Sequence, residues 1–343
     1  MFDDFNIDPT ETTLILTEPA HNLPMIQTAT DQVIFEEYGF MNYYRALGAS
    51  LVPWNSALGV STSSSTDRSP LALIVDCGFS FTHIIPIVEG VVSWPNVKRI
   101  NMGGKFLTNY LKELISFRHY NMMDETYLIN QIKEACCYVS TQFEKDLEAS
   151  HKSKLNSIVQ NYILPDYGQN KLGYIAVEPF DKDSDDQVLT LANERFVVPE
   201  LIFSPSDIGL KQAGIAETIM HSIASFTEDI QAMLLHNIVL AGGTCKFAGF
   251  QDRISRELQS LAPTSSLVRV IMPQDPQTCI WTGGADLACD PSSLNEVTVT
   301  LEEYAEYGSS ICERKFGRYG VQTPTAGNSR AVSVSSEDFN EDE

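Results

Sequence analysis

Between Leu71 and Gly90 an apolar run reaches Asp76 and Gly78, turns through Phe79, Ser80 and Phe81, and leaves again through Ile84, Ile85 and Ile87. Two buried strands joined by so short a turn predict a β-hairpin with a carboxylate and a glycine at its tip. That combination narrows what the chain can be. Glycine lets the backbone approach an anion, neighbouring N–H groups face phosphate, and a carboxylate holds a metal or its water shell. An ordinary hairpin whose aspartate closes a strand fits the same residues, and this segment alone does not separate the two.

Glycine pairs recur where helices are expected. Gly103 and Gly104 open a helix through about Arg118, with Leu107, Tyr110, Leu111 and Leu114 at helical spacing. Gly242 and Gly243 follow an apolar strand that starts at Asn237 and precede a helix over 249–261, with Phe250, Ile254 and Leu258 inward. Gly283 and Gly284, after Trp281, read as a third glycine-to-helix turn. One such pair is a packing turn as readily as a ligand loop. Three of them, with Asp76 and Gly78, predict an α/β protein whose loops converge on a phosphate-bearing ligand. Elsewhere the spacing predicts a strand over 12–17, a helix over 22–35, one helix over 128–147, and short strands within 162–190. An extended stretch with two prolines is expected over 193–209, then helices over 214–223 and 229–235 and a strand over 267–272. Lys133 and Glu134 sit beside the apolar face of the 128–147 helix and read first as solvent residues.

The chain has 343 residues, 45 acidic and 23 basic, for a net charge of −22. That charge opposes binding to a nucleic-acid backbone. It suits basic protein partners and plain solubility equally. The seven cysteines are scattered, often within apolar runs and without a CxxC pair, as in reduced core thiols of a cytosolic or nuclear protein. No apolar run approaches the roughly 18 residues of a membrane span. The serine- and threonine-rich stretch 56–70 reads as a mobile connection or surface insertion, open to phosphorylation. The acidic loop at 181–186 lacks EF-hand spacing, and 324–343 has the composition of a disordered acidic tail. The opening strand and helix have no sheet of their own to join, so an N-terminal portion is expected to be absent.

These segments resemble the actin superfamily from about residue 10 to 320. Leu71 to Gly90 is similar to its second phosphate-binding hairpin, and Lys133 with Glu134 to its residues near ribose and base. The stretch Leu240 to Thr244 resembles the loop beneath the nucleotide, and Trp281 to Gly284 with Ser310 to Phe316 the closing segment. Phe35 to Phe40, Asn193 to Phe196, Pro205 to Gly209 and Tyr304 to Phe316 are most similar to the actin-related protein 6 family. The resemblance implies the actin-like ATPase fold, ribonuclease H-like, with two lobes around a nucleotide cleft. It divides the chain into 1–66, a remnant of the first lobe with the Ser/Thr-rich linker; 67–280, the second lobe, its outer part about 105–205; 281–323, a return to the first lobe; and the tail 324–343.

Residue by residue, the resemblance places possible nucleotide contacts at Asp76, Gly78, Lys133, Glu134, Gly242, Gly243 and Thr244, with Asp76 on the metal side. ATP would then be a structural ligand; no catalytic residue and no protein metal site is assigned. A second carboxylate position falls on Phe79, and the water-orienting glutamine position on Gly48. Glycine cannot orient water, so hydrolysis by the actin route is expected to be slow or absent. His83, at the position of a histidine that arranges the attacking water, is expected to be a packed core residue. The family implies a nuclear, non-catalytic subunit of SWR- or SRCAP-type remodellers, which exchange a Z-type variant histone into nucleosomes. The implied partners are a Snf-type motor ATPase, a zinc-HIT-type subunit, other subunits of the complex, and histones or nucleosomes. An autonomous actin-fold ATPase or filament former is the alternative, and a sugar-kinase or chaperone ATPase of the same superfold a weaker third.

Overall fold

The computed structural model describes residues 7–59, 62–64, 67–152, 158–168, 171–176 and 186–319. The acidic loop at 181–185, residues 60–61 and 65–66 of the Ser/Thr-rich stretch, and the acidic tail lie outside them.

The hairpin forms as its sequence dictates. Ala72–Cys77 runs antiparallel to Thr82–Val88, with Asp76 opposite His83. Ile238–Ala241 adds in parallel on the other side, pairing Ala241 with Asp76. The sheet is six-stranded, in the order Val270–Ile271, Ile238–Ala241, Ala72–Cys77, Thr82–Val88, Val91–Val92, with Lys98–Ile100 also on Thr82–Val88. Both faces are covered, which explains near-continuous apolar strands rather than alternating ones. Leu73, Val75 and Cys77 face a core with Leu107, Leu111, Ile129 and Ile132. Ala72 and Ile74 face the opposite core with Leu47, Ala49, Val52 and Cys279.

A separate three-stranded sheet is built from Thr13–Glu18, parallel to Asn42–Leu47, with Val299–Thr300 antiparallel on the far edge of Asn42–Leu47. Residues near the chain's end thus complete a sheet begun near its start. Phe35 stacks on Tyr304 at 4.4 Å, and Phe316 meets Tyr43 edge-on at 5.4 Å. The helix Leu301–Tyr307 starts with a reciprocal capping box between Thr300 and Glu303. Arg45 is buried, 5.5 Å over the Phe316 ring, and ion-paired to Glu18 at 3.3 Å and Asp31 at 3.1 Å. Arg45 Nη2 also donates to Asp31 Oδ2 at 3.4 Å, while the Nε and Oδ1 atoms meet without hydrogen-bond alignment, and burial pushes the Asp31 carboxyl up to about 7 against the pull of Arg45.

Three expectations fail locally. The single helix over 128–147 is two, Thr126–Cys136 and Phe143–Lys152. Between them the backbone is claimed by neighbouring loops: Tyr138 N–H donates to Arg195 O and Val139 N–H to Ala248 O, both at 2.9 Å. The stretch over 193–209 is not extended but holds the helix Glu194–Glu200 and a 3-10 turn Pro205–Ile208. Pro199 fits inside that short helix because it has no N–H to give, and the Arg195 carbonyl it would have bonded takes Tyr138 instead. Gly283 and Gly284 do not form a turn; they lie inside the helix Cys279–Ala288. A Cβ at Gly283 would stand 1.9 Å from Leu51 O. That pair lets the helix press against 48–54, a packing role rather than a ligand loop.

Candidate functional site

The site grows from one close approach. Gly103 precedes the helix Gly104–Arg118 in extended conformation, φ −158° and ψ −173°. Any residue adopts such angles, so space is what demands glycine here. A Cβ would meet Phe79 O at 2.7 Å and Gly78 O at 2.8 Å. With that path open, the hairpin tip caps the helix: Gly104 N–H donates to Gly78 O at 3.1 Å and Lys105 N–H to Phe79 O at 2.7 Å. The Thr244 hydroxyl donates to Gly78 O at 2.8 Å from the other side. At Gly242 glycine is required twice, by φ +88° and by Cys77 O, 2.3 Å from where a Cβ would be. All these contacts tie the glycine loops to the hairpin.

They frame a polar cleft of about 430 Å³, within the usual range for small-molecule sites. Five of the expected residues line it: Gly78, Lys133, Glu134, Gly243 and Thr244. Asp76 and Gly242 do not; they lie directly beneath, the Asp76 Oδ1 3.0 Å from the Cβ position of Gly242. Strand alternation is the reason. Asp76 shares the face of Ala72 and Ile74, whereas the helices that wall the cleft pack on the face of Cys77. Burial raises the Asp76 carboxyl above the usual range.

Lys133 corrects the expectation of a solvent residue. It is 4% exposed, and its ammonium donates to Asn130 Oδ1 at 2.8 Å, Thr108 Oγ1 at 3.0 Å and Gly104 O at 3.3 Å. Three donors meet three acceptors, so Lys133 clamps the helix Thr126–Cys136 to the start of Gly104–Arg118. Burial lowers its pKa, opposed by the charge of Glu134. Glu134 is exposed and accepts from Asn130 Nδ2 at 2.8 Å.

The wall contains residues the sequence reading missed as contacts: Phe79, Gly104, Asn130, Lys246, Phe247 and Gln277. Lys246 and Phe247 follow the Gly-Gly-Thr run at once, and Asn130 precedes Lys133 and Glu134 by one helical turn; both positions were legible. Gln277 had no local signal. Phe79 is 59% exposed at the hairpin tip. His83 is half-buried, its ring 6.1 Å from Phe81. Burial, then the charges of His21 and Arg99, push it down to about 4, so it is neutral at pH 7. Among the described residues no cluster of three or more His, Cys, Asp and Glu could hold a metal, and no helix is long and apolar enough to cross a membrane. Six of the seven cysteines are buried free thiols; Cys289 is exposed.

A family model described as Actin matches residues 1–317. The actin-like protein ARP6 of Cryptococcus neoformans is 40% identical over 337 residues, which covers 92% of this chain and 68% of that protein. The actin-like protein ARP6 of Yarrowia lipolytica is 42% identical over 307 residues, 90% of this chain and 76% of its own length. Actin-related protein 6 of Drosophila melanogaster is 40% identical over 298 residues, 86% of this chain and 74% of its own length. With a mixed α/β core, a hairpin tip capping a helix, and this likeness along nearly the whole length, the chain belongs to the actin family, among its actin-related protein 6 members.

Proposed function

We propose that the chain is a non-hydrolysing, structural actin-fold subunit of a SWR- or SRCAP-type remodeller that exchanges a Z-type variant histone into nucleosomes. It works in the nucleus beside a Snf-type motor ATPase and a zinc-HIT-type subunit, with the other subunits of that assembly. Its cleft holds a nucleotide such as ATP as a structural ligand. The non-catalytic part rests on Gly48. The position that resemblance gives to a water-orienting side chain carries none, and a Cβ there would lie 3.5 Å from Ile280 Cγ2, in apolar contact. Without an oriented water, in-line attack on phosphate loses its positioned nucleophile. The assembly part rests on the 36–42% identity to proteins named actin-related protein 6.

The net charge of −22 adds a long-range attraction for basic histones, which salt weakens. Affinity purification of the tagged chain from nuclei, at low and high salt and read by mass spectrometry, tests the assignment. Motor and HIT-type subunits retained at high salt, with histones lost, is the expected result. Recovery of actin or its regulators in place of both subunits favours the autonomous cytoskeletal protein.

A further inference from the structure

Exposed apolar side chains gather where three segments of the chain meet at the end of the three-stranded sheet. Met41 N–H donates to Pro9 O at 3.0 Å, and Leu301 N–H to Met41 O at 2.9 Å. Thr300 is the ladder partner of Asn42, so Leu301 and Met41 stand side by side just beyond the paired strands. Ile7, two residues before Pro9, and Tyr38, whose ring lies 6.4 Å from that of the buried Phe40, complete the group. All four are between 38% and 48% exposed, and none of them lines the cleft. Single exposed apolar residues need no partner; a group of them rimmed by charge marks a contact surface.

The rim is acidic. Glu11 closes the 3-10 turn Pro9–Glu11, Glu37 precedes Tyr38, and Glu302 and Glu306 lie on the helix that Leu301 opens. All four are exposed, and among the described residues none has an ion-pair partner. Asp8 adds a fifth carboxylate, with one oxygen taken by Thr10. Glu36 and Glu303 are already engaged, by the Tyr304 hydroxyl and by Lys315. On the adjoining helix Ser309–Tyr319, Arg314 lies over the Tyr307 ring at 5.7 Å. An apolar centre within negative charge calls for apolar anchors flanked by lysine or arginine. Glu302 and Glu306 are four residues apart on one helix face, which matches lysines four apart on a helix laid alongside.

We propose that this surface docks a basic amphipathic helix of a protein partner. The apolar stripe of that helix rests on Tyr38, Met41 and Leu301, and its cationic flank meets Glu37, Glu302 and Glu306. The docking is independent of what the cleft holds.

Fluorescence anisotropy of the whole chain with three labelled peptides of about 18 residues, five helical turns, tests it. The first is a leucine-striped helix with lysine flanks, the second has glutamate for lysine, and the third has serine for leucine. The first should bind at least about tenfold more tightly than either other. Glu302→Lys with Glu306→Lys should weaken it by about tenfold, and Met41→Ser by about threefold. Glu228→Lys with Asp229→Lys, the same charge change on the exposed start of the helix Glu228–His236, should alter it by less than about twofold. Weakening by that second pair equal to the first means diffuse charge attraction and overturns the proposal. So does equal binding of the serine peptide, which carries the charge of a basic tail without anchors, and so does failure of the leucine–lysine peptide to bind.

Discussion

Gly103→Ala tests the contact on which the cleft is built. The new Cβ would sit 2.7 Å from Phe79 O and 2.8 Å from Gly78 O, both backbone atoms without a flexible end to yield. Ordinary contact begins near 3.4 Å, so hairpin and helix must part by about 0.7 Å. The Gly104–Gly78 bond, now 3.1 Å, then passes beyond hydrogen-bonding range, and the Lys105–Phe79 bond, now 2.7 Å, stretches close to its limit. Losing or weakening two backbone bonds costs roughly 1–3 kcal/mol, and overpacking a tight contact about as much again. The expected loss is therefore about 2–5 kcal/mol, seen first locally. Hydrogen exchange at the Gly104 and Lys105 amides is the assay, because it reads this contact without requiring the whole chain to unfold as one unit. Protection there should fall by at least tenfold while the amides of Ile238–Ala241 keep theirs. Gly104→Ala is the control: its Cβ would meet only side-chain atoms, at 3.3 Å, so exchange should change little. Equal protection in wild type and Gly103→Ala would refute the argument that proximity, not conformation, fixes glycine at 103.

Gly283→Ala should destabilise the chain more than Gly284→Ala, since the first meets the Leu51 carbonyl at 1.9 Å and the second only the Leu51 side chain at 3.3 Å; denaturant midpoints compare them. Purified protein should show no ATP turnover above background in a phosphate-release assay, and steady turnover lost on Asp76→Ala contradicts this. His83 is held neutral, about 4 against an ordinary 6.5. The unfolded chain therefore binds the extra proton at this site between those values, so the His83 contribution to stability falls as pH drops from about 6.5 to 4, while Asp31, held up to about 7, contributes the opposite slope. His83→Gln should take the His83 contribution out of urea midpoints measured across the window; an unchanged slope removes His83 as its source.

Much of the fold was written in short-range pattern. The hairpin, the helix after Gly104 and the strand before Gly242 follow from apolar runs and glycine position. The site was legible where glycine and threonine met the hairpin. Other parts depended on distant chain. Val139 looks helical by spacing, yet Ala248 takes its N–H. Lys133 looks like a surface lysine until Thr108 and Gly104 are folded over it. Gly283 and Gly284 share the pair signal of a ligand loop, and only the nearness of Leu51 shows that they serve packing. Asp76 was correctly placed at the end of its strand; its facing away from the cleft follows from alternation once the helices are assigned to the other face.

The central claim is that this actin fold serves an assembly and not its own hydrolysis. The direct measurement is variant-histone exchange by a remodeller depleted of its actin-related protein 6 subunit and resupplied with this chain. The chain should enter the complex and restore exchange, and the variant Asp76→Asn should restore it equally. Failure to enter the complex, or exchange that returns only with an intact Asp76, would contradict the account.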